Sequence, residues 1–154
     1  MKAVYYYRDP AGSAGFLLPE DAVLLERLFA HGSLPSKEQL RGKCCWLYLR
    51  VATGNPAADD VGISRQYACL YQFAEKHGMQ IAGVCKDYMC GQDLQRHSLK
   101  FLAKEAAEKK MDYILACKRD RIYRGHDLRG LLRYEDSMHT LGVDILYPFE
   151  GPSD

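Results

Sequence analysis

From residue 45 onward, short apolar runs alternate with segments whose apolar residues recur at helical spacing. Few folds satisfy that alternation. Residues 45–51, 80–85, 113–117 and 143–147 read as strands. Residues 63–77, 98–110 and 126–141 read as helices. The inward faces are Ile63, Tyr67, Leu70, Tyr71 and Ala74 in the first helix, and Leu99, Leu102, Ala103 and Ala106 in the second. In the third they are Leu128, Leu131, Leu132 and Met138. Strands that alternate with helices cannot pair as simple hairpins. They predict an α/β fold: a three-layer sandwich with a mostly parallel sheet of four to five strands and helices on both faces. Residues 52–62, rich in Gly, Pro, Ala and Asp, and residues 87–97 read as loops, and residues 148–154 as a tail.

Residues 1–43 look like a separate N-terminal extension, and residues 44–150 like the main domain. In the extension, residues 3–7 suit a strand, and Asp9-Pro10-Ala11-Gly12 has turn chemistry. Residues 19–30 suit a helix with Val23, Leu24, Leu28 and Phe29 on one face and Gly32 as its stop. Ser36-Lys37-Glu38-Gln39 resembles a capping box and predicts a further short turn of helix. Nothing in the extension carries chemistry, so it reads as a packing or docking element.

The 154 residues leave room for one ordinary domain with an appendage. With 21 basic and 20 acidic residues, the chain as a whole does not announce nucleic acid, and such a partner must be met by a local patch. No apolar run approaches the ~20 residues of a membrane helix. The N-terminus lacks the apolar core of a secretion signal, so a cytoplasmic protein without a membrane partner is expected. The six cysteines, at 44, 45, 69, 85, 90 and 117, form no CxxC pair and no zinc spacing with histidine. They read as reduced structural thiols, with neither a metal nor a cofactor implied.

One patch stands out. Between Lys118 and Arg133 six cations face two acids, in a chain whose formal net charge is only +1. The patch directly follows the third strand, and open parallel sheets place ligands at the carboxyl ends of their strands. Arginine there suits phosphate, through its planar fork and permanent charge. A solvated helix start of mixed charge is the plainer alternative. Three strand ends converge in this arrangement: Arg50 after the first, Asp87 after the second, and Asp120, Arg121 and Arg124 after the third.

At these residues the chain resembles the catalytic domain of the serine recombinases, the resolvase/invertase family. Tyr48-Leu49-Arg50-Val51-Ala52-Thr53 is similar to the family's Tyr-x-Arg-Val-Ser-Thr. Gln66-Tyr67-Ala68-Cys69-Leu70 is similar to its Gln-x-x-x-Leu, followed by the helix end at Phe73-Ala74-Glu75-Lys76-His77-Gly78. Asp87 with Cys90-Gly91 resembles its Asp…Ser-Gly loop, Arg96-His97-Ser98-Leu99 its Arg-Pro-x-Leu, and Lys118-Arg119-Asp120-Arg121-Ile122-Tyr123-Arg124 its Lys-x-Asp-Arg-Leu-x-Arg. The five segments occur in order over about two thirds of the chain.

The resemblance implies DNA strand cleavage and rejoining through a phosphoserine, with no metal or nucleotide. It places Arg50, Arg96, Lys118, Arg121 and Arg124 around a DNA phosphate, Asp120 orienting arginines by ion pairing, Gln66 hydrogen-bonding in the site and Asp87 holding the neighbouring loop. The nucleophile position, however, holds Ala52, and a methyl group cannot attack phosphorus. Thr53 is expected to face away on the strand, and Cys90 is a poor nucleophile for phosphoryl attack. The family's long dimerisation helix and C-terminal DNA-binding domain have no counterpart in the sequence. The expectation is a strand-transfer-deficient domain that binds DNA, a full-length recombinase or itself. An active component of a larger strand-exchange complex and a non-DNA anion-binding remnant are the alternatives.

Overall fold

The computed structural model describes residues 5–8, 14–17, 34–51, 56–88, 97–122 and 129–149. Its centre is strand β3 (Cys44–Val51), flanked by β4 (Gln80–Tyr88) on one side and β5 (Tyr113–Leu115) on the other, with β6 (Asp144–Leu146) beyond β5. All pairings in this four-stranded sheet, ordered β4-β3-β5-β6, are parallel. Parallel neighbours need crossovers, and helices α2 (Pro56–Lys76), α3 (His97–Ala107) and α5 (Arg129–Thr140) supply them. The one-turn helices α1 (Lys37–Leu40) and α4 (Arg119–Ile122) precede β3 and follow β5. Strands β1 (Tyr5–Arg8) and β2 (Ala14–Leu17) form a separate antiparallel pair.

The period of two along β3 divides the core. Cys45, Leu47, Leu49 and Val51 point to one face and pack with Leu40 of α1 and with Ile63, Leu70 and Ala74 of α2. Tyr48, with Trp46 beside it, points to the other, where Leu99, Leu102 and Ala106 of α3 and Leu131, Leu132 and Met138 of α5 cover it. This is the α/β sandwich that the alternation predicts.

Several boundaries differ from the sequence reading. Helix α2 starts at Pro56, inside the stretch expected to be a loop. Proline is at home in a first helical turn, where its missing N–H has no partner to lose, and Asp59 there favours the positive end of the helix dipole. Gly62 is a packing residue and not a breaker, since a Cβ built on it would lie 2.9 Å from Val51 Cγ1. The buried stripe of α2 runs Ile63, Gln66, Leu70, Ala74. Tyr67 and Tyr71, expected inside, are 41% and 42% exposed and stack on each other at 5.8 Å.

Strand β4 runs on to Tyr88, so Asp87 belongs to a strand paired with Arg50 and not to a loop. Helix α3 stops at Ala107, just before a turn in which Lys109 has φ 59°. The capping box at Ser36 is present: Gln39 N–H donates to Ser36 Oγ, and Ser36 N–H donates to Gln39 Oε1. Strand β2 was not expected. The proposed turn at residues 9–12, the helix at 19–30 and Leu128 lie outside the described residues. No helix among the described residues is long and apolar enough to cross a membrane.

Candidate functional site

The site lies at the carboxyl end of β3, where the sheet opens. Strand β5 pairs with β3 only as far as Leu47↔Leu115. Three residues further on, the Gln66 carboxamide takes the place of a neighbouring strand. Its Oε1 accepts from the Arg50 N–H at 3.1 Å, and its Nε2 donates to the Arg50 carbonyl at 2.9 Å. Gln66 reaches this gap from the buried stripe of α2, one turn beyond Ile63. A primary amide has one acceptor and two donors, so it can close both main-chain groups at once.

On the opposite face, β5 leads through Ala116 and Cys117 into α4. Arg50 and Arg121 are joined there in a reciprocal clasp. Arg50 Nε donates to the Arg121 carbonyl at 2.9 Å, and Arg121 Nη1 donates to the Arg50 carbonyl at 3.1 Å. Arg50 is 1% exposed, whereas Arg121 is half-buried and Lys118 exposed. The Arg50 carbonyl therefore receives both Gln66 and Arg121. Three elements, β3, α2 and α4, meet on one residue.

Beside the clasp, Asp87 of β4 accepts from Tyr48 Oη at 2.6 Å through Oδ2, and from Ser98 Oγ at 2.7 Å through Oδ1. The carboxylate ties β3, β4 and the first turn of α3 together. A second buried network lies behind α4. Arg119 Nε donates to Glu135 Oε1 at 3.1 Å, and Tyr147 Oη donates to the same oxygen at 2.8 Å. The Arg119 guanidinium carbon lies 4.9 Å from the centre of the Tyr147 ring. Burial, and then the Glu135 carboxylate, push the Tyr147 hydroxyl well above its ordinary range, so it stays protonated.

Cys45 and Cys85 behave as packing groups. Burial raises the Cys45 thiol to about 12 and the Cys85 thiol to about 11, far from thiolate chemistry at neutral pH. Cys44 is also raised, chiefly by burial and then by Asp112. No group of three or more His, Cys, Asp or Glu residues among the described residues is arranged to hold a metal ion.

The family described as "Resolvase, N terminal domain" matches residues 45–152. The chain belongs to the resolvase family. No curated protein sequence matches it. The catalytic domain of ISC1926 TnpA, an IS607-like serine recombinase, is similar in structure, with 28% identity and a TM-score of 0.61, over 69% of this chain and 70% of that one. The catalytic domain of TP901-1 integrase is similar at 26% identity and a TM-score of 0.60, over 69% of this chain and 77% of that one. A resolvase family site-specific recombinase from Streptococcus pneumoniae shares the fold at 18% identity and a TM-score of 0.57, over 71% of this chain and 74% of that one. This is a resolvase-type domain of site-specific recombination.

Of the resolvase residues singled out in the sequence, Arg50, Gln66 and Arg121 are in direct hydrogen-bonded contact, with Asp87 on the strand beside them. Lys118 sits at the entry to α4. Asp120 lies in α4, and its side chain is outside the described residues, as are Ala52, Thr53, Cys90, Arg96 and Arg124. The sequence reading did not single out Tyr48, Ser98, Glu135 or Tyr147 as polar partners. Glu135 did carry a signal. It falls on the apolar stripe of α5 between Leu131, Leu132 and Met138, where an acid requires a buried partner.

Proposed function

We propose that this resolvase-family domain is a DNA- or recombinase-binding accessory of site-specific recombination, deficient in strand transfer because Ala52 occupies the nucleophile position. The supporting observation is the clasp of Arg50, Gln66 and Arg121. It supports an arginine-lined phosphate site at the end of β3, whose last residue, Val51, precedes Ala52 in sequence.

In this reading Arg50 is a buried organiser of the α4 main chain. Arg121 and Lys118 supply charge to the phosphate, and the resemblance assigns the same role to Arg96 and Arg124. Asp120 steers arginines by ion pairing, and Asp87 steadies the start of α3 through Ser98. Fixed guanidinium groups suit a phosphodiester, whose charge grows as it is attacked and which also attracts cations at rest. Residues 1–43 form a docking or self-association element that is anchored to the catalytic-type domain through α1, whose Leu40 is buried in the core, and the protein works in the cytoplasm.

Two measurements test the reading. Duplex DNA is titrated at several salt concentrations against the native chain and an Arg121→Ala/Arg124→Ala variant. Log affinity should fall with log salt by about 0.9 per phosphate contact, with a smaller slope in the variant. Binding that is absent at low salt, or that is indifferent to the variant, overturns the DNA arm and leaves pairing with a full-length recombinase to be measured by co-sedimentation. Second, Ala52→Ser in a dimerised form should yield a covalent protein–DNA adduct, while the native chain yields none. An adduct from the native chain makes the protein an active strand-exchange component.

A further inference from the structure

We infer that Arg119 does not contact the phosphate. It is a positioning residue: its buried ion pair with Glu135, closed by Tyr147, sets the orientation in which α4 presents Arg121. This inference rests on the phosphate-site reading above and adds a regulator of geometry to it. Three observations converge. First, Arg119 is one residue into the cationic patch, yet its side chain is 3% exposed and is paired with Glu135, whereas Arg121 bonds to Arg50. Second, its partners come from two other elements, Glu135 from the middle of α5 and Tyr147 from the residue after β6. Third, α4 is a single turn of four residues, and such a turn has too few internal hydrogen bonds to hold its own orientation.

The geometry suits this role. Glu135 Oε1 takes two donors, so the carboxylate is held from the α4 side and from the β6 side at once. The Arg119 guanidinium is hydrogen-bonded to Glu135 and lies over the Tyr147 ring. With Arg119 held, the Arg121 carbonyl two residues on is placed over Arg50 Nε, and the Arg121 side chain over the Arg50 carbonyl. Replacing a buried ion pair with apolar residues of like volume is often neutral for stability, so stability alone does not call for charges here. Fixing one arrangement among several is a task that a directional pair performs and an apolar contact does not.

The test uses the full chain and four variants: Arg119→Met/Glu135→Met, Arg119→Lys, Glu135→Gln and Arg121→Ala. Each is measured for thermal midpoint, for amide hydrogen exchange over residues 119–122 and for affinity to a duplex DNA probe. The paired methionine variant should keep its thermal midpoint, yet exchange at residues 119–122 should quicken by roughly tenfold or more. Its duplex affinity should fall toward that of Arg121→Ala. Glu135→Gln keeps an acceptor for both donors and should retain slow exchange and most of the affinity. Arg119→Lys, which lacks the planar fork, should not. Wild-type exchange and affinity in the paired variant overturn the inference. Loss in Glu135→Gln equal to that in the paired variant overturns it in favour of a charge role. If the paired variant fails to fold, Arg119→Lys against Glu135→Gln decides the matter. If the native chain binds no duplex, the phosphate reading fails, and the exchange data alone judge the positioning role.

Discussion

Gln66 shows what one side chain contributes when a parallel sheet runs out of strand. Its two hydrogen bonds are both to buried groups of Arg50, where water cannot substitute. Removing a partner from a buried polar group costs about 1–3 kcal/mol. Gln66→Ala should therefore lower the unfolding free energy by at least that amount in urea denaturation. Gln66→Glu should be no better at neutral pH, because an ionised carboxylate offers nothing to the Arg50 carbonyl. A cost below about 0.5 kcal/mol for Gln66→Ala, the level of an ordinary surface change, would mean that the carboxamide is not part of the strand end.

Among the elements, α2 has the least typical composition. A glycine inside a helix is ordinarily worth replacing, since alanine gains roughly 1 kcal/mol. Gly62 is an exception, because the new methyl would press on Val51 Cγ1, on a β-branched side chain with little rotamer freedom. Gly62→Ala should destabilise by about 1–3 kcal/mol, as overpacking does, whereas the same change in a Val51→Ala background should be neutral or favourable. A double-mutant cycle read by urea titration checks both signs. The same glycine explains why residues 52–62 read as a loop. Gly, Pro and Asp are turn residues in isolation, and only the strand packed beside residues 56–62 makes a helix the better solution there. The tyrosines of α2 illustrate the reverse. Helical spacing placed Tyr67 and Tyr71 inward, but the buried stripe follows Gln66, which the period of apolar residues skips. What the pattern did carry was the four strands, the three crossover helices and the inner faces of α3 and of α5. It also carried the convergence of Arg50, Asp87 and Arg121 on one end of the sheet. What it lacked was the pairing of Tyr48, Ser98, Glu135 and Tyr147, because each partner lies on another element and is set only by the tertiary fold.

For the whole molecule, the buried titratable groups set a pH response. In the folded chain the thiols of Cys45 and Cys85 are raised from the ordinary 9.0 to about 12 and about 11. The folded state therefore favours the neutral thiol more than the unfolded chain does. The associated stability is complete below pH 9.0 and is lost as pH rises through the folded values. The Tyr147 hydroxyl, raised in the same direction, adds to the loss. The urea midpoint should hold from neutrality to about pH 9 and then decline toward pH 12, and Cys45→Ala/Cys85→Ala should flatten the early part of that decline. A midpoint that rises in that range would contradict the assignment.

The order in which the chain closes its second buried network bears on how it is made. Arg119 emerges from a ribosome sixteen residues before Glu135 and well before Tyr147, at the far edge of the sheet. A nascent chain that has laid down β3, β4 and β5 still lacks the acid that neutralises Arg119. Synthesis adds about 5–20 residues per second, so that state persists for seconds. During that interval α4 is held through the Arg50–Arg121 clasp, and Arg119 lacks its acid. The buried network behind α4 is thus completed last, and a product truncated before Glu135 would carry the charges of α4 without the acid that pairs with Arg119.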